Sequence, residues 1–176
     1  MPAIEQNEES ALTDRRMKRL TAATLFGMVL IPRSIMGEDQ TKDVKAMNEP
    51  QIRFLNRAPA GYSQVVEVRG GRTLYISGQI ALDSSGDLVG SGDFTAQVKQ
   101  VFANLKARLD EAGASFNDVV KLNFYLLDAG NLQIVRDVRD AYVNREHPPA
   151  STLVVVKQLF RPELLVEVDA IAVAKD

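Results

Sequence analysis

The sequence predicts an α+β domain in which two helices cover one face of a mixed β-sheet. Several segments alternate apolar and polar side chains with a period of two, which is the pattern of β-strands. Two longer segments repeat apolar residues three and four positions apart, as amphipathic helices do. After a candidate short edge strand that follows residue 51, the order is strand, strand, helix, strand, helix, strand, strand, so only two helices serve the whole sheet.

The strand predictions begin at the start of this domain. Residues 52–56 form a candidate short edge strand, and residues 62–68 and 73–82 are strand-like on either side of the sequence RGGR. Gly70 and Gly71 can supply the positive φ angles of a tight turn, so these two strands are predicted to form a β-hairpin. The remaining predicted strands cover residues 119–128, 151–159 and 164–173.

The two predicted helices lie on either side of the strand at 119–128. Asp93 is a suitable N-cap for the first helix, and Gly113 is a suitable stop after it. The second helix is predicted from about 131 to 145, where two prolines follow. The residues expected to face inward are Val98, Val101, Phe102, Leu105 and Leu109 on the first helix and Leu132, Val135, Val138 and Tyr142 on the second.

The face of the sheet without helices needs another partner. The predicted strands are apolar on both faces, so we expect an oligomer that buries the second face. The last strand places Glu167 and Asp169 on one face, because side chains two apart in a strand point the same way. Buried carboxylates need partners, so both acids are expected on or near a subunit contact. Asp169 is expected to be a structural acid paired across that contact, and Lys121 and Lys157, on predicted strands, are its candidate partners.

Composition excludes several kinds of chemistry. The 176 residues include no cysteine, which rules out disulfides, thiolate metal sites and cysteine nucleophiles. His147 is the single histidine, which argues against a zinc cluster and against a Ser-His-Asp triad. The net charge of -2, without a basic patch interleaved with aromatics, gives no electrostatic case for nucleic acid. We therefore expect neither a metal nor a nucleic-acid partner.

An N-terminal extension, residues 1–50, precedes the domain, which is assigned to residues 51–176. Residues 1–16 are polar and have no helical or strand period. Within residues 17–38, a basic pair precedes an apolar run at 20–32 and then a polar segment, and the segment GEDQTKDVKAMNEP that leads to the domain is interpreted as a linker. This is the layout of a secretory signal peptide, and the run is too short for a stable membrane span. The alternatives are an amphipathic helix or a disordered tail. An exported, periplasmic protein is expected if the signal functions, and a cytoplasmic protein otherwise.

Five residues could contribute to a ligand site. Gly78 lies within a strand, where glycine often marks a bulge or the close approach of a ligand or another backbone, and Ser77 precedes it. Tyr62 lies in a loop from which its hydroxyl could reach a cleft. Ser151 and Thr152 begin a strand directly after two prolines. Each also has an ordinary explanation, which is packing for the tyrosine and local backbone hydrogen bonds for the hydroxyls.

Two arginines, Arg136 and Arg139, lie on the second predicted helix. Their simplest interpretation is a solvated helix face. A role in binding would require that their side chains point into a cleft.

Five pieces of the sequence occur in a characteristic order and spacing: AGYSQVVEV, LYISGQIAL, VVKLNFYLLD, PPAST and LLVEVDAIAVA. Together they resemble the Rid family (YjgF-type proteins, reactive intermediate deaminases). The resemblance covers about residues 52–174, and SGQI and VEVDAIAV are its most specific parts. It implies a chorismate-mutase-like α+β fold and a homotrimer, in which three sheets line a central barrel and clefts lie between neighbouring subunits.

The resemblance also implies an activity. The best-known branch hydrolyses imines and enamines formed by pyridoxal-phosphate enzymes, giving a keto acid and ammonia without a metal or cofactor. By this resemblance, Glu167 would activate the attacking water as a general base. Tyr62 would shape the pocket for the small-molecule ligand. Backbone groups near Ser77, Gly78 and Thr152 would add hydrogen bonds.

The sequence departs from the deaminating branch at the substrate anchor. That branch has an arginine in a P-A-R stretch that grips the substrate carboxylate, whereas Ser151 occupies this position here. A serine cannot provide a bidentate, charge-assisted contact. Leu153 replaces the cysteine of that branch, and Arg136 falls near the position of its cleft asparagine. We therefore expect that Arg136 or a neighbour partly replaces the anchor, or that the ligand is not an α-imino acid.

Three functions remain open on the sequence alone. The first is an imine or enamine deaminase with weak or altered activity. The second is a trimer that binds a small ligand or a partner without turnover. The third is hydrolysis of another small amide or amine, because relatives of this fold are linked to aminomuconate and carbamate chemistry. A desolvated Glu167 facing an open pocket would favour catalysis, whereas a pocket filled by Leu153 would favour a structural role.

Overall fold

The computed structural model describes residues 49–176, so the predicted extension and its signal segment at 17–38 lie almost wholly outside the described residues. The elements are β1 (Gln51–Ala58), β2 (Tyr62–Arg69), β3 (Arg72–Gln79), α1 (Phe94–Glu111), β4 (Val119–Leu126), α2 (Leu132–Asp140), β5 (Ala150–Val155) and β6 (Val166–Ala174). A 3-10 turn, Phe116–Asp118, precedes β4. Across the described range, neither helix combines the length and the apolar character needed to cross a membrane.

The six strands form one mixed sheet in the order β1-β2-β5-β4-β6-β3. Strand β5 runs parallel to both of its neighbours, β2 and β4, and the other pairs are antiparallel. The predicted fold class, a mixed sheet with two helices, is confirmed. The prediction that the first strand lies at an edge of the sheet is also confirmed.

The predicted β2–β3 hairpin is wrong, although the turn between the strands is present. Gly70 and Gly71 adopt φ values of 70° and 73°. A Cβ at Gly71 would lie 2.7 Å from the carbonyl oxygen of Ala174, so the turn also needs glycine for close packing against the end of β6. Strand β2 pairs with β1 and, at Ser63, with β5, whereas β3 pairs with β6 at the opposite edge. Strand periodicity predicts the strands but does not select their partners.

Helix α1 has the predicted boundaries and the predicted buried stripe. The Asp93 side chain caps it by accepting a hydrogen bond from the Ala96 N–H at 3.0 Å. Phe102, at the centre of the stripe, is fully buried and contacts the rings of Phe116, Phe124 and Tyr142. These contacts hold α1, the sheet and the segment after α2 in one core.

Helix α2 ends at Asp140, five residues earlier than predicted. The backbone N–H groups of Tyr142 and Val143 both donate to the carbonyl oxygen of Arg139, which closes the helix with a turn. Tyr142 still packs against the core, as its place in the apolar stripe predicts. The stripe therefore continues past the end of the helix, which is why periodicity alone overestimated its length.

The two faces of the sheet differ in what covers them. Residues such as Phe124 and Val168 alternate along β4 and β6, are at most 2% exposed, and belong to the core that the helices cover. Cross-strand neighbours on the opposite face include Tyr75 on β3, which is 81% exposed, and Val154 on β5, which is 41% exposed. Large apolar side chains on a helix-free sheet face are typical of a surface that another chain covers.

Candidate active site

Asp169 on β6 is held by two donors of the neighbouring strand β4. Its Oδ1 accepts a hydrogen bond from Asn123 Nδ2 at 2.8 Å, and its Oδ2 accepts one from the Tyr125 hydroxyl at 2.9 Å. Both oxygens are therefore satisfied within the chain, as a partly buried carboxylate requires. The hydrogen bond to Asp169 is also the main cause that raises the pKa of Tyr125, with burial as the next cause.

Residues 49–176 of the same chain provide no lysine partner for Asp169, and the expected pair across a subunit contact stays a prediction. Lys121 lies on the same face, but its Nζ donates to the Thr152 hydroxyl at 2.6 Å. Lys157 lies beyond the end of β5 and is exposed. Within the chain, neutral side chains of β4 satisfy Asp169 instead.

Glu167 lies on the same helix-free face, opposite Tyr125, and is partly buried. In contrast to Asp169, it accepts no hydrogen bond from the residues that the structure describes. Burial raises the pKa of the Glu167 carboxyl, and the negative charge of Asp169 raises it further. A carboxyl group with a raised pKa and free oxygens can take up and return a proton, which is the requirement for a general acid-base residue.

A bulge in β3 makes room for Glu167. The pairing between β3 and β6 is interrupted at Ser77 and Gly78, which stand together opposite Asp169. The Glu167 side chain crosses Gly78 so closely that a Cβ there would lie 2.8 Å from Glu167 Cδ and nearer still to Oε1. The bulge predicted at Gly78 is therefore confirmed, and the group that approaches the glycine is the candidate catalytic carboxyl, not a ligand or another backbone.

A cleft of about 230 Å³ brings together three of the predicted binding residues, Tyr62, Ser151 and Arg136. It lies between α2 and the side of the sheet that carries the helices. Leu153 lines this cleft and does not fill it. The other lining residues are Ala60, Phe124, Leu132, Val135 and Arg139. A mostly apolar wall with a few polar groups is typical of a small-molecule site.

The interpretation of the α2 arginines as a solvated face is wrong. Arg136 is partly buried and lines the cleft. Arg139 is 7% exposed, and its guanidinium donates to Asp140 Oδ1 at 2.6 and 2.8 Å and to the Ala60 carbonyl at 3.2 Å. The signal was present in the sequence, because Arg139 follows Val135 by four positions and so continues the apolar stripe.

Replacing Arg139 by methionine should lower the free energy of unfolding by about 2 kcal/mol, because Asp140 and the Ala60 carbonyl, both partly buried, would lose their donor. Urea denaturation at one fixed protein concentration measures this loss. Arg108→Met is the matched control, since Arg108 forms an exposed pair with Glu111 and should change stability by at most about 0.5 kcal/mol. Equal effects of the two substitutions would contradict the structural role of Arg139.

The predicted site residues fall on two faces of the sheet. Ser151 pairs with Leu122 on the face that the helices cover, whereas Glu167 pairs with Tyr125 on the opposite face. Thr152, next to Ser151, also points to the helix-free face, where it binds Lys121. One chain therefore does not place Glu167 beside the cleft of Tyr62, Arg136 and Ser151.

Ser77 and His147 do not line the cleft, and each contacts another residue of the domain. Ser77 is exposed, and its carbonyl accepts a hydrogen bond from the Gln79 side-chain amide at 2.9 Å. The ring of His147 packs on Phe54, with centroids 5.4 Å apart. No cluster of three or more acids, histidines or cysteines suited to a metal ion occurs between residues 49 and 176.

The fold and the site define a class of protein. It is a single-sheet α+β domain that carries a glutamate on its open sheet face and a small cleft between a helix and the other face. The family model described as Endoribonuclease L-PSP matches residues 55–174, and the chain belongs to this family, the Rid or YjgF family. The resemblance identified in the sequence is thereby confirmed.

Relatives in the family cover most of the domain. A RutC family protein of Pyrococcus abyssi is 38% identical over 125 residues, which are 69% of this chain and 95% of the relative. A mouse protein named 2-iminobutanoate/2-iminopropanoate deaminase is 41% identical over 121 residues, which are 66% of this chain and 86% of the relative. Among solved structures, a conserved Rid family protein of Yersinia pestis has a TM-score of 0.62 at 36% identity, covering 71% of this chain and 98% of its own.

Proposed function

We propose that this chain is a hydrolytic deaminase of small reactive imines or enamines that works in clefts between the subunits of a homotrimer. The observation that carries the proposal is Glu167, a partly buried carboxyl group with a raised pKa and no described hydrogen-bond donor. It lies over the glycine of a β-bulge, where its position is defined by close packing. Two related proteins, one from mouse and one from Dermatophagoides farinae, are named 2-iminobutanoate/2-iminopropanoate deaminase, and these names support the proposed reaction class.

The chemistry requires one carboxyl group and one water molecule. Glu167 removes a proton from the water while the water oxygen adds to the carbon of the protonated imine, and the C=N electron pair moves to the nitrogen to give a neutral carbinolamine. The protonated Glu167 then gives this proton to the amino nitrogen. The C–N bond breaks as the hydroxyl group passes its proton to the Glu167 carboxylate, and the departing ammonia takes up that proton, so one iminium ion and one water give one carbonyl compound and one ammonium ion. A raised pKa suits Glu167 to act as base in the first step and as acid in the second.

The trimer is proposed because the two groups of site residues lie on opposite faces of the sheet. Glu167 of one copy could meet Tyr62 and Ser151 of a neighbour only across a contact between subunits. The exposed Tyr75 and Val154 on the helix-free face support such a contact, since burying them would stabilise the assembly. The open face would then form the inner wall of the barrel.

The absence of the family arginine sets the expected substrate preference. Ser151 lies in the cleft but offers only a hydroxyl group, so a simple α-imino acid lacks its charged anchor. We therefore propose weak activity towards 2-iminopropanoate and similar compounds. A substrate that is held by other groups of the cleft should react faster.

The test is imine hydrolysis, with an amino-acid oxidase to generate imino acids and semicarbazide to trap those that survive. The wild-type protein should hydrolyse the imino acid slowly and so reduce semicarbazone formation only slightly. Ser151→Arg should increase the rate of hydrolysis about tenfold by restoring a charge-assisted contact. Ser84→Arg, in an exposed loop, is the matched control and should equal wild type. If neither wild type nor Ser151→Arg accelerates hydrolysis, the deaminase proposal fails and a trimer that binds without turnover replaces it.

A further inference from the structure

A second cleft, of about 250 Å³, adjoins the apolar cleft and has a strongly positive wall. Its lining includes Arg57 from β1, Arg136 and Arg139 from α2, and Arg145 from the segment after α2. Asp140 is the one acidic residue among the described residues that line it, so four arginines and one aspartate leave a net charge of +3. The whole chain has a formal net charge of -2, so this cleft concentrates positive charge against the general balance.

Most arginines elsewhere in the described domain have acidic partners close by, and Arg72 instead donates to the backbone carbonyls of Ala112 and Lys175. Arg53 and Arg69 both pair with Glu67, and Arg108 pairs with Glu111. In the cleft, Asp140 is already engaged by Arg139 at 2.6 Å and lies 3.8 Å from Arg145.

Arg57 and Arg136 form no ion pair with any residue in the range 49–176. Two guanidinium groups without acidic partners therefore border a concave surface. Such a surface binds anions well, because each guanidinium offers a planar fork to two oxygens.

The charged cleft and the apolar cleft are continuous. Ala60, Arg136 and Arg139 line both of them, so Arg136 stands at the boundary. On one side of it lie the apolar side chains of Phe124 and Leu153. A ligand that spans both clefts would place an apolar body on that side and an anionic group on the other.

We infer that the two clefts form one site for a small organic ligand whose apolar body packs beside Leu153 and whose multiply charged oxyanion lies between Arg57 and Arg136. The oxyanion is a phosphate monoester or a pair of carboxylates, since both match guanidinium geometry. The inference rests on the proposed function, because it names the substrate class of the same cleft. In this arrangement Arg57 and Arg136 of the charged cleft form the charged anchor for the ligand, in place of the arginine that the deaminating branch has at position 151.

The test is calorimetric binding to the full-length chain carrying Glu167→Gln, which removes the proposed turnover. Phenyl phosphate carries the phosphate group, phthalate carries two carboxylates, benzoate carries one, and inorganic phosphate lacks the apolar body. Phenyl phosphate or phthalate should bind about tenfold more tightly than benzoate and than inorganic phosphate, and the tighter of the two identifies the group. Added salt should weaken this binding.

Arginine variants locate the binding. Arg136→Gln and Arg57→Gln should each weaken binding of the tighter probe about tenfold, whereas Arg108→Gln on α1 should change it less than about twofold. Arg57 is exposed, so its variant remains informative even if Arg136→Gln perturbs the fold. Equal binding of all four probes, or equal effects of the three variants, would overturn the inference.

The two proposals fail in different ways. Arginine-dependent binding together with no imine hydrolysis by wild type or Ser151→Arg would refute the deaminase and leave the anion site standing. Imine hydrolysis together with probe binding that Arg136→Gln and Arg57→Gln do not weaken would refute the anion site and leave the deaminase standing.

Discussion

The Glu167→Gln protein is expected to lose imine hydrolysis by about 10³-fold, because an amide can neither accept the proton of the attacking water nor return it to the leaving nitrogen. The amide has the same shape as the carboxyl group, so its packing over Gly78 is kept. The loss should appear in kcat, while binding of unreactive ligands should change little. This is the largest effect on activity that the structure predicts.

The same substitution should stabilise the fold near neutral pH. Burial and Asp169 raise the pKa of Glu167 in the folded state, so the folded protein holds this proton more tightly than the unfolded chain. The stabilisation that protonated Glu167 provides is therefore fully present at pH values below the ordinary glutamate pKa. It is lost as the pH rises through the raised pKa of the folded state. Above that value the ionised carboxylate opposes folding, and glutamine removes this opposition.

Thermal unfolding at two pH values measures the effect. Near pH 7.5, Glu167→Gln should raise the melting temperature by about 1–2 °C, a small change because solvent screens a partly exposed carboxylate. Near pH 3.5, where glutamate is protonated in both states, the difference should vanish. Glu146→Gln, at an exposed position, should change neither stability nor activity. A Glu167→Gln protein that is less stable than wild type near neutral pH would show that the carboxylate is structural.

Replacing Gly78 by alanine should reduce imine hydrolysis by about 10²-fold or more with little loss of stability. The new Cβ would collide with the carboxyl end of Glu167, whereas the Gly78 backbone does not have a positive φ. The flexible end of Glu167 can therefore move aside while the bulge stays intact. A displaced general base loses its alignment with the water that it activates, and catalysis depends steeply on that geometry.

A double-mutant comparison identifies the cause of this loss. If Gly78→Ala acts through Glu167, adding it to Glu167→Gln should lower activity no further than Glu167→Gln alone. Gly130→Ala is the matched control, because its Cβ would meet only the side chain of Asp128 in a loop and its φ is not positive. Additive losses in the double variant would mean that Gly78 contributes to the site independently of Glu167.

Much of the candidate site could be predicted from the sequence. The two-residue spacing places Glu167 and Asp169 on one face, and a glycine inside a strand marks the bulge at Gly78. The family resemblance pointed to Tyr62 and Ser151, which do share a cleft. The positions of these residues could be predicted because they depend on backbone periodicity or on short motifs, and the roles of the residues in binding and catalysis stay predictions.

The donors that hold Asp169 and the burial of Arg139 were not predicted. Asn123 and Tyr125 reach Asp169 from β4, a strand more than forty residues away in the chain. The place of Arg139 in the apolar stripe of α2 is a signal for burial, but only the fold shows that the β1–β2 loop covers it, where a Cβ at Gly61 would lie 2.6 Å from its Nη2. In both cases the contacting groups come from segments that are distant in sequence, which no local pattern identifies.

The sequence by itself determined the strands, the capped first helix, the alternation of faces along each strand and the family. Each of these follows from side-chain period, from the capping preference of residues such as Asp93 or from a motif, all of which act over a few neighbouring residues. Only the tertiary structure decided that β3 pairs with β6 and not with β2, and that Ser151 and Glu167 lie on opposite faces of the sheet. Strand partners are selected by the packing of the whole sheet, since alternating strands offer similar edges to several neighbours until the core is assembled.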